Sequence, residues 1–571
     1  MLHLVLEAGY LSFLFPATME EAMKPSVSHE ERMMGRPSGH EERGVGHHHH
    51  HHLPHEDGVI GHHLDRQHMN DEELLAALGH KQELRREFSI WSLGALCLCL
   101  MATWEALSSA VAAALVSGGA PCLFYNYIIS FMGTLATACS LAEIASIWPT
   151  AGGQYHWVAV LAPENRRVLA SWFTGWISVG GQIVLTASAA FAGGLQYQAL
   201  ITLNHGDTYV PQRWQGMLFY WLLLLYSAAV NIWGSRILPH TNLVSGVLHI
   251  VGFVVIVIVL GVMAPKHSAH YVFVEVENSS GWSNDGVAWL VGLLSSVYPF
   301  LGYDAAAHLS EELPRPSRNV PIAMVGSVVA NAIIGFVYCL VLLFSLGDLT
   351  TLLETATGFP FMQLYLNVTK SSAGATVLSL IICLIATAAN AAGLTSTSRT
   401  FWAFARDDAI PFSGYFGHVH PRLKVPVRMI VLVSLLQAAL GFIYLGSTTA
   451  FNAILSMAII GMYLSYILPI IYMLVCGRKK LMSDDYGPFR LGKLGGTIAN
   501  VFAIMWLLLA MVFSTFPSYE PVTPQNMNYS IVVLVGWVAA GAVYYFFRGR
   551  KVYTGPVVEV EAVSLDVVPS K

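Results

Sequence analysis

Across 571 residues, 55% are hydrophobic and only 11% are charged, with a mean hydropathy of +0.55. A soluble chain of this length needs far more charge to cover its surface, which excludes a soluble enzyme or a nucleic-acid binder and predicts a polytopic membrane protein. The net charge of -5 says little, because the placement of basic residues, not their sum, orients such a chain.

Residues 1–18 carry an apolar run, Leu2 to Phe15, without a basic start or a small-residue cleavage site, so they do not read as a secretory signal. Met19 opens a polar stretch, and residues 1–87 read as a disordered, His-rich cytoplasmic tail. Six consecutive histidines, His47 to His52, can bind transition metals, but a low-complexity tail or an expression tag has the same appearance, and no physiological metal is expected. Within the tail, Asp71 to Leu78 followed by Arg85 and Arg86 predicts a short amphipathic helix with acids first and bases last.

A membrane helix needs about 20 mostly apolar residues. Twelve such spans are predicted, at 90–116, 121–147, 170–195, 214–235, 241–264, 287–309, 322–346, 373–398, 427–446, 449–475, 495–517 and 529–547. They make a transporter-sized domain of residues 88–550, followed by a short cytoplasmic tail, 551–571. With a cytoplasmic N-terminus, fifteen Lys and Arg residues fall in the inside loops, Arg548, Arg550 and Lys551 follow the last span, and three (Arg213, Lys266, Lys370) fall outside, which predicts both termini inside. Three Asn-x-Ser/Thr glycosylation sequons, Asn278, Asn367 and Asn528, all fall outside on this count. The seven cysteines lie in or beside apolar segments at no ligand or disulfide spacing, and read as small buried residues.

Two spans have polar, interrupted centres. Span 1 carries Thr103, Trp104, Glu105, Ser108 and Ser109 at mid-membrane. An intramembrane carboxylate is expensive; it is either functional or hydrogen-bonded between helices, and a neutral form is compatible with burial. Span 6 carries Pro299, Gly302 and Asp304 close together, a simple kink or a ligand site. Spans 1 and 6 open two successive five-helix sets, and breaks at matching places point to an inverted-repeat transporter. Freed amides can take a carboxylate there, and freed carbonyls an ammonium or a cation.

Three stretches carry a family resemblance. They are Leu141-Ala-Glu-Ile-Ala-Ser-Ile-Trp-Pro-Thr-Ala-Gly-Gly-Gln-Tyr-His-Trp157, Pro299-Phe-Leu-Gly-Tyr-Asp304 with Ser310-Glu-Glu312 and Arg318-Asn-Val-Pro321, and Ser398-Arg-Thr-Phe-Trp-Ala-Phe-Ala-Arg-Asp-Asp-Ala-Ile-Pro411 with Val425-Pro426. Over roughly residues 85–550 the chain resembles the amino acid–polyamine–organocation superfamily, and more narrowly its fungal amino acid/choline permeases, which include GABA and choline transporters. The resemblance implies an all-α fold of twelve transmembrane helices, a five-plus-five inverted repeat (LeuT-like) with discontinuous helices 1 and 6, working by alternating access. It implies a substrate site built from Thr103, Trp104, Glu105, Ala106 and Ser108 with Ser296, Val297, Tyr298, Phe300 and Tyr303. Many members have a Gly-rich break in span 1, where this chain has Ala102-Thr-Trp-Glu-Ala-Leu-Ser-Ser109. In span 5, His249 follows Asn242 at the spacing of a lysine in some proton-coupled relatives, so His249 and Glu105 are proton-coupling candidates; a neutral histidine satisfied between helices is the alternative. Glu143 reads as structural, and Asn390 faces either the site or a neighbouring helix.

The remaining signals are plainer. Gly152-Gly153 and Gly180-Gly181 lack a preceding strand and read as a turn or close helix packing, not a phosphate cradle. No Walker A motif or Ser-His-Asp arrangement is present. Glu311, Glu312, Arg315 and Arg318 either pair with Arg399 or Arg406 or form a solvated loop. The expected function is proton-coupled secondary uptake of an amino acid or related small amine such as GABA at the plasma membrane, without a cofactor. The alternatives are choline or a polyamine as substrate, or a non-transporting nutrient sensor.

Overall fold

A computed structural model describes residues 70–447 and 456–556. The His tract, residues 1–18, the far C-terminal tail and the start of the span predicted at 449–475 lie outside the described residues. Among the described residues the architecture is all-helical, with no strand, and eleven helices are long and apolar enough to cross a membrane.

The chain enters through α1 (Asp71–Ala77), where Asn70 accepts from the Glu73 amide and the Glu73 carboxylate accepts from the Asn70 amide, a capping box. Ser89 caps α2 (Ile90–Met101) in the same way with Ser92. α2 ends at Ala102, whose backbone is left-handed at φ 41°, ψ 52°, and α3 (Thr103–Ile147) starts at the next residue. Together they run from Ile90 to Ile147. At about 1.5 Å per residue that length is well over twice a bilayer core of ~30 Å. α3 is itself interrupted at Gly119, with φ 73° and ψ -158°, two residues before Pro121. The carbonyls of Val116 and Gly118, freed by this break, accept from the amides of Ser279 and Glu277, at 2.9 and 3.2 Å. This answers the requirement that every backbone group in a membrane find a protein partner.

Between the predicted second and third spans lies α4 (Gln154–Leu161), a short buried helix that a search for twenty-residue apolar runs does not find. The membrane helices that follow are α5 (Arg167–His205), α6 (Arg213–Ile232) and α7 (Leu238–Met263). The segment Asp285–His308 is then divided into α8 (Asp285–Val291), α9 (Leu294–Val297), a 3-10 turn Tyr298–Phe300 and α10 (Ala305–His308). α11 (Pro316–Phe344), α12 (Ser372–Arg406), α13 (Val427–Gly446), α14 (Met457–Tyr472), α15 (Lys493–Phe513) and α16 (Ser530–Tyr544) complete the bundle.

α2 and α3 pack on α11, and α5 packs on α12 and α14, so the two interrupted segments sit among long continuous helices. Small residues allow the approach. A side chain at Gly181 would lie 2.9 Å from the Gly461 backbone. Gly180 and Gly541 make room for Trp537 and Trp176, whose rings stack at 4.3 Å and whose indole N–H groups each donate to the other residue's carbonyl. This is the close helix packing expected of the Gly180–Gly181 pair. Glu143 is structural, as read from the sequence: it is buried, paired with Arg478, and accepts from the Leu491 amide at 2.7 Å. Leu84 near the start and Tyr553 near the end share one apolar cluster with Tyr155 and Trp172, so both described ends lie at the same end of the bundle.

Candidate functional site

The two interruptions meet. The hydroxyl of Thr103, first residue after the α2–α3 break, donates to the Pro299 carbonyl in the 3-10 turn at 2.8 Å. After that turn Leu301 is extended and Gly302 takes φ 112°, a conformation that favours glycine. A side chain at Gly302 would also lie 2.8 Å from the Leu100 side chain. The α2–α3 break, in contrast, is made by Ala102 without glycine, in the left-handed region that costs an L-residue about 1–2 kcal/mol.

Beside the paired breaks lies a cavity of about 640 Å³ including its mouth. Its polar lining comes from Glu105, Ser109, Thr186, Gln196 and Tyr298; the rest is aliphatic. Of the residues anticipated for a substrate site, Glu105, Ala106 and Tyr298 line this cavity. The others are committed elsewhere. Trp104 donates from its indole to the His249 carbonyl at 3.1 Å and packs on Tyr338. Ser108 donates to the Trp104 carbonyl and lies 2.6 Å from the Tyr338 hydroxyl. Ser296 meets Ser130 at 2.9 Å, Val297 is in the core, Phe300 packs on Tyr127 and Tyr303 on Tyr466. Thr103 serves as the tie between the breaks.

Directly behind the cavity is a three-residue polar chain. Glu105 Oε1 is 2.7 Å from His249 Nδ1, and His249 Nε2 is 3.0 Å from Asn331 Oδ1. The Asn331 amide nitrogen donates to the Leu98 carbonyl at 3.2 Å, which fixes its oxygen toward the histidine. Leu98 is in the last turn of α2, so the chain closes on the break itself. Its hydrogen-bond logic is restrictive. An ionised carboxylate and an amide oxygen only accept, so His249 must donate from both nitrogens as imidazolium; alternatively a protonated Glu105 donates to a neutral ring. In both arrangements one proton lies in the hydrogen bond between Glu105 and His249. Glu105 Oε2 has no hydrogen-bond partner, although Glu105 is only 2% exposed.

One helical turn from Thr186, along α5, Gln182 joins a second buried network. Asp304 Oδ2 accepts from Gln154 at 3.0 Å and lies 3.2 Å from His308 Nε2, while Asp304 Oδ1 accepts from Tyr466 at 2.8 Å. Asp304 therefore braces this end of the interrupted segment. Beyond it, Glu312 makes a two-pronged pair with Arg399 (2.8 and 2.9 Å), and Glu311 one with Arg406 (3.0 and 3.1 Å). All four are largely buried, so of the two readings of this acidic pair it is the ion pairs that form. Arg315 is exposed, and its backbone amide donates to Asp71. The N-terminal segment covers this end: Gln82 donates to the Glu311 carbonyl, Arg86 to the Leu313 carbonyl, and the Phe88 amide to the Glu312 carbonyl. His80, buried there with its ring 6.0 Å from that of His156, is held well below the ordinary histidine range by burial and by Arg406. His156 is lowered to about 4 for the same reasons.

Asn390 donates to Ser227 at 2.6 Å and to the Leu223 carbonyl at 3.3 Å, and so faces the neighbouring α6. The residues that sequence reasoning missed are Gln196, Thr186 and Asn331. Each is a polar side chain inside an apolar helix, a signal available in the sequence but not weighed outside spans 1, 5 and 6.

The amino acid permease family profile matches residues 88–537. The chain is 32% identical over 487 residues to a choline transporter of Saccharomyces cerevisiae, covering 85% of each chain. It is 30% identical over 489 residues to amino-acid permease 2 of Neurospora crassa, covering 85% of this chain and 89% of that one. It is also 30% identical over 498 residues to the amino-acid permease BAT1 of Arabidopsis thaliana, covering 85% and 95%. With its helices, interrupted segments and intramembrane polar sites in place, the chain belongs to the amino acid permease family, a multi-pass membrane transporter and not an enzyme.

Proposed function

We propose that this permease is a proton-coupled secondary transporter of an amino acid or a related small amine such as GABA. It works by alternating access around the cavity at the paired breaks. The observation that supports this reading is the Glu105–His249–Asn331 chain, whose hydrogen bonds run from the cavity wall to the α2–α3 break and would hold a proton shared by Glu105 and His249. A proton lost or gained there changes the charge facing the substrate and the hydrogen bonds that hold the break, which is the coupling such a cycle needs.

Counting Ile90–Ile147 as two crossings divided at Gly119 gives twelve, in keeping with both described ends lying at one end of the bundle. A five-plus-five repeat then pairs the Ala102 break with the Tyr298–Gly302 break. The basic bias of the loops supports both termini in the cytoplasm of a plasma-membrane protein, with Asn278, Asn367 and Asn528 as exterior glycosylation sites. On that orientation the buried ion pairs and N-terminal segment close the cytoplasmic face.

The yeast choline transporter among the relatives favours a second substrate reading. The aromatic faces that a quaternary ammonium requires argue against it. Trp104, Phe300 and Tyr303 are turned into the core, which leaves Tyr298 as the aromatic residue lining the cavity among the described residues. Uptake of radiolabelled GABA, choline and a panel of amino acids in permease-deficient yeast, at exterior pH 5 and 7, tests the reading. Glu105→Gln is expected to reduce amine uptake at least tenfold with normal surface expression; unchanged uptake removes Glu105 from the site.

A further inference from the structure

Two residues that line the cavity, on two different helices, each carry a buried acceptor atom without a partner. One is Glu105 Oε2 and the other is Gln196 Oε1. Gln196 is 1% exposed, and its orientation follows from its neighbours. Ser109 donates its single hydroxyl proton to the Glu105 carbonyl at 3.1 Å. Its oxygen must therefore accept from Gln196, at 2.7 Å, so the Gln196 nitrogen faces Ser109 and the Gln196 oxygen is the free end. Buried polar atoms are rarely left unpaired, and here two residues that line one space each have an unpaired oxygen acceptor, one of a carboxyl group and one of an amide. Both lack a donor.

We propose that the cavity takes a cationic head that carries N–H groups, a primary ammonium, between Glu105 Oε2 and Gln196 Oε1, and that Gln196 selects it over a quaternary ammonium. This rests on the reading of the cavity as the transport site. An ammonium supplies three donors and a positive charge, which satisfies both oxygens together. A trimethylammonium supplies methyl groups only and leaves both acceptors desolvated and unpaired. Sites built to hydrogen-bond a polar group reject an analogue that lacks it far more strongly than apolar pockets reject a change of size. Gln196 is thus a specificity residue on α5, outside both interrupted segments.

The test uses the full-length chain in permease-deficient yeast, with surface amount read from a fluorescent tag. The probes are primary amines (GABA, lysine, the neutral amino acids, putrescine) and trimethylammonium compounds (choline, glycine betaine, the N-trimethyl derivative of GABA). The expected result is uptake of a primary amine that a hundredfold excess of its trimethyl counterpart does not inhibit. Gln196→Leu then raises the KM for the amine about tenfold or more, and Gln196→Glu, which keeps an acceptor oxygen, restores it to within a few-fold. A trimethylammonium compound carried as well as the amine, or a KM unmoved by Gln196→Leu, overturns the proposal. Ala386→Trp, which fills the same cavity, separates the two levels of inference. If it blocks uptake while Gln196→Leu has no effect, the selection by Gln196 falls and the transport site stands. If it leaves uptake intact, or if no probe is carried by a chain that reaches the surface, the transport-site reading falls as well.

Discussion

Replacing His249 by glutamine is the sharpest probe of coupling. The side chain is fully buried and bonded at both ring nitrogens, to Glu105 at 2.7 Å and to Asn331 at 3.0 Å. An alanine there would strand both partners, and unpaired buried polar groups cost about 1–3 kcal/mol each, more when charged. Removing one member of a buried charged pair costs about 3–5 kcal/mol. His249→Ala therefore risks misfolding, whereas glutamine can still offer an amide N–H to one neighbour but cannot take up or release a proton near neutral pH. If the shared proton couples transport, His249→Gln keeps the protein at the membrane but flattens the pH profile, so uptake at exterior pH 5 and pH 7 becomes equal within about twofold. Accumulation against a gradient falls as well, because a loss of about 3 kcal/mol in the coupled state corresponds to more than a hundredfold. The assay is initial-rate uptake across an exterior pH series, normalised to surface fluorescence. A variant that retains the parent's pH profile refutes the argument, since glutamine removes the ring that shares a proton with Glu105.

Ala102→Gly should relieve the left-handed strain at the α2–α3 break, where a non-glycine residue sits at φ 41°. A gain of up to about 1 kcal/mol is expected, read as a higher Tm in detergent with uptake retained. Arg399→Met leaves the buried Glu312 carboxylate unpaired; a loss of about 3–5 kcal/mol in the closed form is expected, visible as a lowered Tm and as faster labelling of a cysteine placed at Ser396. His80 and His156 set a pH limit on the covering N-terminal segment. Both are lowered in the folded chain, so the unfolded or released state binds more protons below the ordinary histidine range. The stabilisation is complete above about pH 6.5, and for His156 it is lost as pH falls toward about 4. Tryptic cleavage at Lys81 or Arg85 should accelerate below pH 6, and His156→Gln should weaken that dependence.

Much of this molecule is written locally. The capping boxes at Asn70 and Ser89, the apolar runs, and the interruption by Pro299 and Gly302 follow from near neighbours in the chain. Glu105 and His249 stood out singly because a polar group is conspicuous inside an apolar helix. Their contact, 144 positions apart, depends on how α3 and α7 are rotated against each other, and a hydrophobic run does not encode that rotation. The same limit governs the aromatic residues. Trp104, Phe300 and Tyr303 share the interrupted segments with Glu105 and Tyr298, yet the local backbone turns them to Tyr338, Tyr127 and Tyr466.

The sequence by itself determined that the chain crosses a membrane many times, where its helices break, and which charged side chains stand in apolar surroundings. These are consequences of transfer free energy and backbone chemistry, which act residue by residue. Only the tertiary structure decided that the two breaks are tied through Thr103 and Pro299, that Glu311 and Glu312 are buried against Arg406 and Arg399, and that Gln196 joins Glu105 at one cavity. In lipid no hydrophobic drive selects one apolar helix face over another. Packing of small residues and pairing of polar groups across helices make that choice, and both require the partners to be in place.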